Sequence, residues 1–85
     1  MNAVILNRVQ GIVADLFSIP VAQITLETSS DTIESWDSLQ HLNLMLALEQ
    51  EFGVQFAPEE IEKLTSVQSI VGLLDLKLQA AENAL

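Results

Sequence analysis

The sequence predicts an all-α fold: a four-helix bundle of three main helices and one short helix, with a long loop between the first and second helices. Leucine, isoleucine and valine recur at helical spacing along most of the 85 residues. One stretch of turn-forming residues, from 18 to 36, interrupts this pattern. The length predicts a single domain over residues 1–85, and a hydrophobic content of 49% indicates a folded core despite a net charge of −9.

The first helix is predicted to run from Asn2, as N-cap, to Phe17. Pro20 then forces the residue before it out of the helical region. A loop over Ser18–Trp36 follows, rich in serine, threonine and aspartate. We expect four apolar side chains to pin it to the bundle, with a short helical turn between the first two: Val21, Ile24, Leu26 and Ile33.

The second helix is predicted over Ser38–Glu51. Asp37 can act as its N-cap and Gln40 follows three residues later, as in a capping box. Gly53 stands where a helix commonly ends. The centre, residues 42–48, is apolar nearly all round, and a bundle this small cannot bury a helix on every side. The pattern therefore predicts a docking surface on this helix.

Two more helices complete the bundle. A short one over residues 58–64 starts with a proline and two glutamates, which suit the first turn of a helix. The last is predicted over Ser66–Gln79, with Thr65 and Gln68 as a second capping-box pair. We expect the tail, Ala80–Leu85, to fray.

The charge balance and the residue types exclude several classes of protein. Twelve acidic residues against three basic ones disfavour nucleic acid and anionic membranes, and favour partners with basic surfaces. Without cysteine there can be no disulfide, thiolate nucleophile or zinc–thiolate centre, and no metal site is expected. No signal peptide or membrane-spanning stretch is predicted. We expect a soluble, cytoplasmic monomer.

The segment Trp36-Asp37-Ser38-Leu39 carries the chemistry. It places a serine hydroxyl in the first turn of a helix, where backbone N–H groups lack partners and the helix dipole is positive. A phosphate ester on Ser38 would be stabilised there. The loop before it should leave the hydroxyl exposed, with Asp37 holding the turn. The alternative is that Ser38 only starts a helix.

With its surroundings, this segment resembles the acyl carrier protein family. The match begins with Asp37-Ser38-Leu39 and continues through Leu42, Leu44, Met45, Ala47-Leu48-Glu49, Glu51-Phe52-Gly53 and Val54. The flanks agree: a leading helix, a loop with Asp31, a Pro-Glu-Glu segment, and Leu64-Thr65-Ser66-Val67 opening the last helix. The resemblance covers nearly the whole chain.

The resemblance implies a non-catalytic carrier. Ser38 would receive 4′-phosphopantetheine from coenzyme A, and the thiol of that arm would hold acyl intermediates as thioesters. Asp37 would cap the helix and be recognised by the phosphopantetheinyl transferase. Acyl-loading and acyl-processing enzymes, with basic or apolar docking surfaces, would be the other partners. The pathway could be fatty acid, polyketide or specialised lipid synthesis.

The resemblance also divides the second helix into two faces. The face toward partner enzymes would comprise Leu39, Leu42, Asn43, Leu46, Glu49 and Gln50. The face toward the core, and toward a cavity that shelters the acyl chain, would comprise Leu44, Met45, Leu48 and Phe52. The alternative for Leu42 and Leu46 is that they are ordinary exposed apolar residues.

The sequence departs from the family in its charges. Gln40, Asn43 and Gln50 stand where acidic residues are common, and Trp36 is bulkier than the usual residue before the aspartate. We therefore expect docking to depend more on apolar contact than on charge. A dedicated carrier for one specialised pathway is supported as well as a general fatty-acid carrier. Trp36 is equally interpreted as a packing residue that anchors the loop.

Other functions remain as alternatives. Peptidyl and D-alanyl carriers share the architecture, although the aspartate before Ser38 favours the acyl group. A non-carrier acidic interaction module would leave Ser38 dispensable. A catalytic triad of Ser38, His41 and Asp37 is disfavoured because all three lie on one exposed turn, where His41 is expected to be solvated or to contact a partner. The acidic loop lacks the ligand spacing of a calcium-binding EF-hand.

Overall fold

The all-α prediction is confirmed. The computed structural model describes residues 3–83, which form four α-helices and one single-turn 3₁₀ helix at Val21–Gln23. The α-helices are α1 (Ala3–Phe17), α2 (Ser38–Phe52), α3 (Pro58–Lys63) and α4 (Val67–Asn83). The long loop lies between α1 and α2, as predicted.

The core forms where α1 packs against α2 and α4. Helix α1 buries one side chain per turn, at residues 5, 9, 13 and 17. The core face predicted for α2 is buried at Leu44, Met45 and Leu48, each at most 2% exposed. Phe52 is only partly buried and lies at the edge of the core. The guanidinium carbon of Arg8 lies over its ring, 4.8 Å from the ring centroid.

The loop after α1 is held down by apolar side chains and by backbone hydrogen bonds. Ile24 and Ile33 are buried, as predicted, and Leu26 is partly buried. The prediction for Val21 was wrong: it is exposed, since the short 3₁₀ helix that it begins buries none of its residues. The side-chain amide of Gln10 donates to the carbonyl of Ile24 at 2.7 Å, which ties this part of the loop to α1.

The same loop supplies acceptors for the start of α4. The N–H of Val67 donates to the carbonyl of Thr28 at 2.8 Å, and that of Gln68 donates to the carbonyl of Leu26 at 3.1 Å. The first N–H groups of a helix have no partner inside it, so the loop completes this end of α4.

Helices α1 and α2 end with the same backbone arrangement. Gly53 ends α2, as predicted, with φ of 66°, and the N–H of Val54 donates to the carbonyl of Glu49 at 3.2 Å. Ser18 follows α1 with φ of 56°, and the N–H of Ile19 donates back to the carbonyl of Ala14 at 3.0 Å. This left-handed residue after a helix is usually glycine, so serine carries backbone strain there.

The predicted cap of α4 was wrong by one residue. Instead of Thr65 and Gln68, Ser66 and Ser69 bond reciprocally: the N–H of Ser69 donates to Ser66 Oγ at 3.1 Å, and the N–H of Ser66 donates to Ser69 Oγ at 3.2 Å. The loop carbonyls fix the register, because they occupy the N–H groups of residues 67 and 68.

The predicted end of α4 was also too early. The helix continues past Gln79 to Asn83, since alanine and glutamate, which occupy positions 80–82, are strong helix formers. The last two tail residues and the predicted cap at Asn2 lie outside the described residues. Across residues 3–83, every helix is too short or too polar to cross a membrane.

Candidate functional site

The site begins at the N-terminus of α2. Asp37 adopts an extended backbone and caps the helix, with its Oδ1 accepting from the N–H of Gln40 at 2.9 Å. The carbonyl of Asp37 accepts from the N–H of His41 at 2.8 Å. The cap is therefore confirmed, but the reciprocal half of the capping box is not, because the side chain of Gln40 accepts from Asn43 at 2.8 Å instead. Ser38, the first residue of the helix, is exposed.

The electrostatics of this terminus suit an anion. Of the four N–H groups in the first turn, those of Gln40 and His41 are bonded to Asp37. The helix offers no partner for the N–H groups of Ser38 and Leu39, and the helix dipole is positive at this end. A phosphate ester on the Ser38 hydroxyl would accept from these two groups.

An open cavity of about 590 Å³ adjoins Ser38. It lies where the end of the loop, the first turns of α2 and the helix α3 meet. Its lining is mainly apolar, with carboxylates from Asp37 and Glu62, and includes Trp36, His41, Leu42 and Ile61. The site therefore combines an exposed nucleophilic hydroxyl with a neighbouring groove that can receive an extended group.

Trp36 forms one wall of this cavity and anchors the loop. Its side chain is buried and stacks on Phe17, with ring centroids 5.5 Å apart. Its indole N–H donates to Nδ1 of His41 at 2.9 Å. The packing interpretation of Trp36 is confirmed.

The expectation that His41 is solvated was wrong. It is half-buried, and its second ring nitrogen, Nε2, contacts the carbonyl of Ile61 on α3 at 2.6 Å. Both ring nitrogens are therefore engaged away from Ser38, so His41 is not placed to accept a proton from that hydroxyl. Ile61 is 20 residues further along the chain, and no local pattern indicates the contact.

The outer face of α2 carries a stripe of exposed leucines. Leu39, Leu42 and Leu46 are 68%, 52% and 56% exposed, and the predicted polar members Asn43 and Gln50 are exposed as well. This stripe runs along the helix from the turn that holds the serine. It is the only place on α2 where large apolar side chains of the described chain meet solvent.

Glu49 departs from the predicted docking face. It is half-buried, and its Oε2 accepts from the backbone N–H of Phe56 at 2.8 Å. Its carboxylate therefore holds the turn between α2 and α3. A contact with a partner enzyme would have to compete with this bond.

Helix α3 has no fully buried residue; Ile61 packs partly buried against the core, and polar contacts supplement it. Glu60 accepts from the N–H of Ala57 at 2.8 Å and pairs with Lys77 of α4 at 3.0 Å. The N–H of Ala57, followed by Lys77, lowers the pKa of Glu60 below its ordinary value. Among the side chains that the structure describes, no three histidines or carboxylates come together as metal ligands.

Comparison with known proteins identifies the family. The model of the family described as "Phosphopantetheine attachment site" matches residues 7–74. An acyl carrier protein of Thermosynechococcus vestitus is 40% identical over 76 residues, which cover 89% of this chain and 94% of that protein. The chain belongs to the acyl carrier protein family. The acyl carrier protein of Petrotoga mobilis is 38% identical over 73 residues, 85% of each chain.

Solved structures of acyl carrier proteins share the fold. The holo acyl carrier protein of Geobacter metallireducens, determined by NMR in solution, superposes with a TM-score of 0.81 at 35% identity, over 92% of this chain and 90% of that one. The acyl carrier protein of Enterococcus faecalis gives a TM-score of 0.74 at 28% identity, over 86% of this chain and 92% of that one. The resemblance inferred from the sequence is confirmed.

The cofactor of this acyl carrier protein is covalently attached 4′-phosphopantetheine. The residues at the start of α2 fit such a group. An exposed hydroxyl is available for the ester, two backbone N–H groups are available for its phosphate, and the cavity beside them is open and mainly apolar.

Proposed function

We propose that Ser38 is the attachment residue and that the chain carries acyl intermediates for partner enzymes without catalysing a step itself. The observation that supports this best is the exposed Ser38 hydroxyl at a capped helix N-terminus, beside the free N–H groups of Ser38 and Leu39. Asp37 fixes the turn and so presents the hydroxyl in one geometry to the transferase.

Different residues would contact different parts of the arm. The helix terminus accommodates the negative phosphate. Asp37 and Glu62 line the neighbouring cavity, so the cavity favours the uncharged part of the arm. When bound, the arm supplies the thiol on which an acyl group is held. An acyl chain that folds back would pack toward the core face of α2, at Leu44, Met45, Leu48 and Phe52.

We also propose that the leucine stripe of α2, Leu39, Leu42 and Leu46, docks the transferase and the acyl-processing enzymes. Asn43 and Gln50 extend the same exposed face. No carboxylate lies on α2 between Asp37 and Glu49, and the latter is engaged in a turn. Docking by apolar contact supports a dedicated carrier for one specialised pathway, acting as a cytoplasmic monomer.

The attachment residue is tested by intact mass. Apo protein is incubated with coenzyme A and a broad-specificity phosphopantetheinyl transferase. The native chain should gain one phosphopantetheinyl group and Ser38→Ala should gain none. Ser35→Ala, an exposed serine three residues earlier, should gain one and is the matched control. No gain in the native chain, while a control carrier is modified, would leave a non-carrier interaction module.

The docking face is tested with the same transferase. Leu46→Asp should raise KM for the carrier about tenfold with little change in kcat, because burying a leucine contributes roughly 1.5–3 kcal/mol to association. Leu76→Asp changes a leucine of α4 that is 65% exposed and should leave KM unchanged. Equal effects of the two substitutions would contradict docking through α2.

A further inference from the structure

His41 joins three elements beside Ser38. It lies one turn into α2, and it receives the indole N–H of Trp36 on Nδ1 at 2.9 Å. Its Nε2 lies 2.6 Å from the carbonyl of Ile61 on α3. Trp36, His41 and Ile61 all line the cavity.

The chemistry of the two partners fixes the form of His41. An indole N–H can only donate, so Nδ1 must accept; a carbonyl can only accept, so Nε2 must carry the hydrogen. Only the neutral imidazole with hydrogen on Nε2 satisfies both contacts. A second hydrogen on Nδ1 would face the indole N–H donor to donor, whereas the bond to Ile61 would persist.

The two walls differ in how firmly they are held. Trp36 is buried in the core and stacks on Phe17, so the loop wall is anchored without His41. Helix α3 has no fully buried side chain, Ile61 is only partly buried against the core, and the ion pair Glu60–Lys77 lies outside the cavity lining. Regions with few buried contacts open most readily, so the bonds of His41 matter most for α3.

We propose that His41 is a positioning residue that sets the opening of the cavity beside Ser38, by holding the loop wall through Trp36 and the α3 wall through Ile61. Without these bonds the end of the loop, and the turn that presents Ser38, is less confined. The part of this proposal that concerns modification of Ser38 rests on the proposed function. The part that concerns the walls is a property of the unmodified chain.

The first test uses NMR on the unmodified chain. Imidazole ¹⁵N shifts should show hydrogen on Nε2 of His41 and none on Nδ1. The indole N–H resonance of Trp36, the only tryptophan, should shift in His41→Phe, which removes its acceptor. Hydrogen on Nδ1, or an indole resonance indifferent to His41, would overturn the proposal.

Substitutions separate positioning from general destabilisation. His41→Phe keeps the ring but loses both bonds, so amides of α3 should exchange about two- to tenfold faster. His41→Gln keeps an acceptor and a donor and should restore the native exchange rates. Asn7→Phe, which adds a ring on the exposed face of α1, is the control and should change nothing. Unchanged exchange in His41→Phe would refute the α3 contact.

The link to modification is read separately with the transferase. His41→Phe should lower kcat/KM for modification of Ser38 about two- to tenfold, and His41→Gln should recover it. If the transferase does not modify the native chain at all, the proposed function is refuted. The NMR results would still decide whether His41 holds the two walls of the cavity. Native kcat/KM in His41→Phe, alongside faster exchange, would refute the effect on Ser38.

Discussion

Ser18 and Gly53 offer a paired test of the backbone strain in this fold. Both follow a helix with a left-handed backbone, with φ of 56° and 66°. Only one of them is glycine, the residue that adopts this conformation without steric cost. We predict that Ser18→Gly stabilises the protein and that Gly53→Ser destabilises it.

The magnitude follows from two opposing terms. A left-handed backbone costs a residue with a side chain roughly 1–2 kcal/mol. Glycine loses about 0.5–1 kcal/mol more backbone entropy on folding. The difference gives Ser18→Gly a net gain of about 0.5–1 kcal/mol. Gly53→Ser should lose a similar amount through the backbone alone, because a Cβ there would meet no heavy atom within 4 Å.

Thermal unfolding followed by circular dichroism measures both changes. A domain of this size shifts its Tm by about 4–8 °C per kcal/mol, so Ser18→Gly should gain roughly 2–8 °C. Gly53→Ser should lose a comparable amount, and the double variant should return close to the native Tm because the sites share no partner. A Tm that falls in Ser18→Gly, or stays constant in Gly53→Ser, would refute the strain argument.

Two further predictions concern the acidic residues around α3. Glu49→Ala removes the acceptor of the Phe56 N–H and should lower the free energy of unfolding, measured in urea, by about 1 kcal/mol. Glu49→Gln keeps an acceptor and should keep much of the stability. If Glu49→Ala leaves the free energy of unfolding unchanged, the bond to Phe56 is not the role of this residue, and only the docking face remains. The folded-state pKa of Glu60 lies below 4.5, chiefly through the N–H of Ala57 and then Lys77. The stability that ionised Glu60 contributes to the fold is therefore complete above that value and is lost as the pH falls through the lowered pKa. The Tm difference between native protein and Lys77→Met should shrink on acidification from about pH 6 to 3, and a constant difference would contradict this assignment.

Features encoded by neighbouring residues were predictable from the sequence. The cap at Asp37, the stop at Gly53 and the proline start of α3 depend on residues within one turn of each other. The buried stripe of α2 follows from helical periodicity. Most importantly, the placement of Ser38 in an exposed first turn depends on local signals, so the centre of the candidate site could be located without coordinates.

Features set by distant contacts were not predictable. Ser66, and not Thr65, caps α4. Loop carbonyls some 40 residues earlier accept from the first N–H groups of the helix and so determine where it begins. His41 has no local pattern that points to Ile61. Glu49 has the residue type and spacing of a surface acid, and only the folded turn brings the N–H of Phe56 to it. In each case the deciding partner comes from another element.

The bonds from the loop to α4 have a consequence for how the chain folds. Leu26 and Thr28 complete the first turn of a helix that begins about 40 residues later. Closing a segment of that length has an entropic cost before any contact is gained, so this turn of α4 cannot form early as an isolated helix. Its first turn is complete only when the loop after α1 has docked beside it. The bonds at the start of α4 are therefore present only in molecules whose loop before Ser38 has reached its folded position.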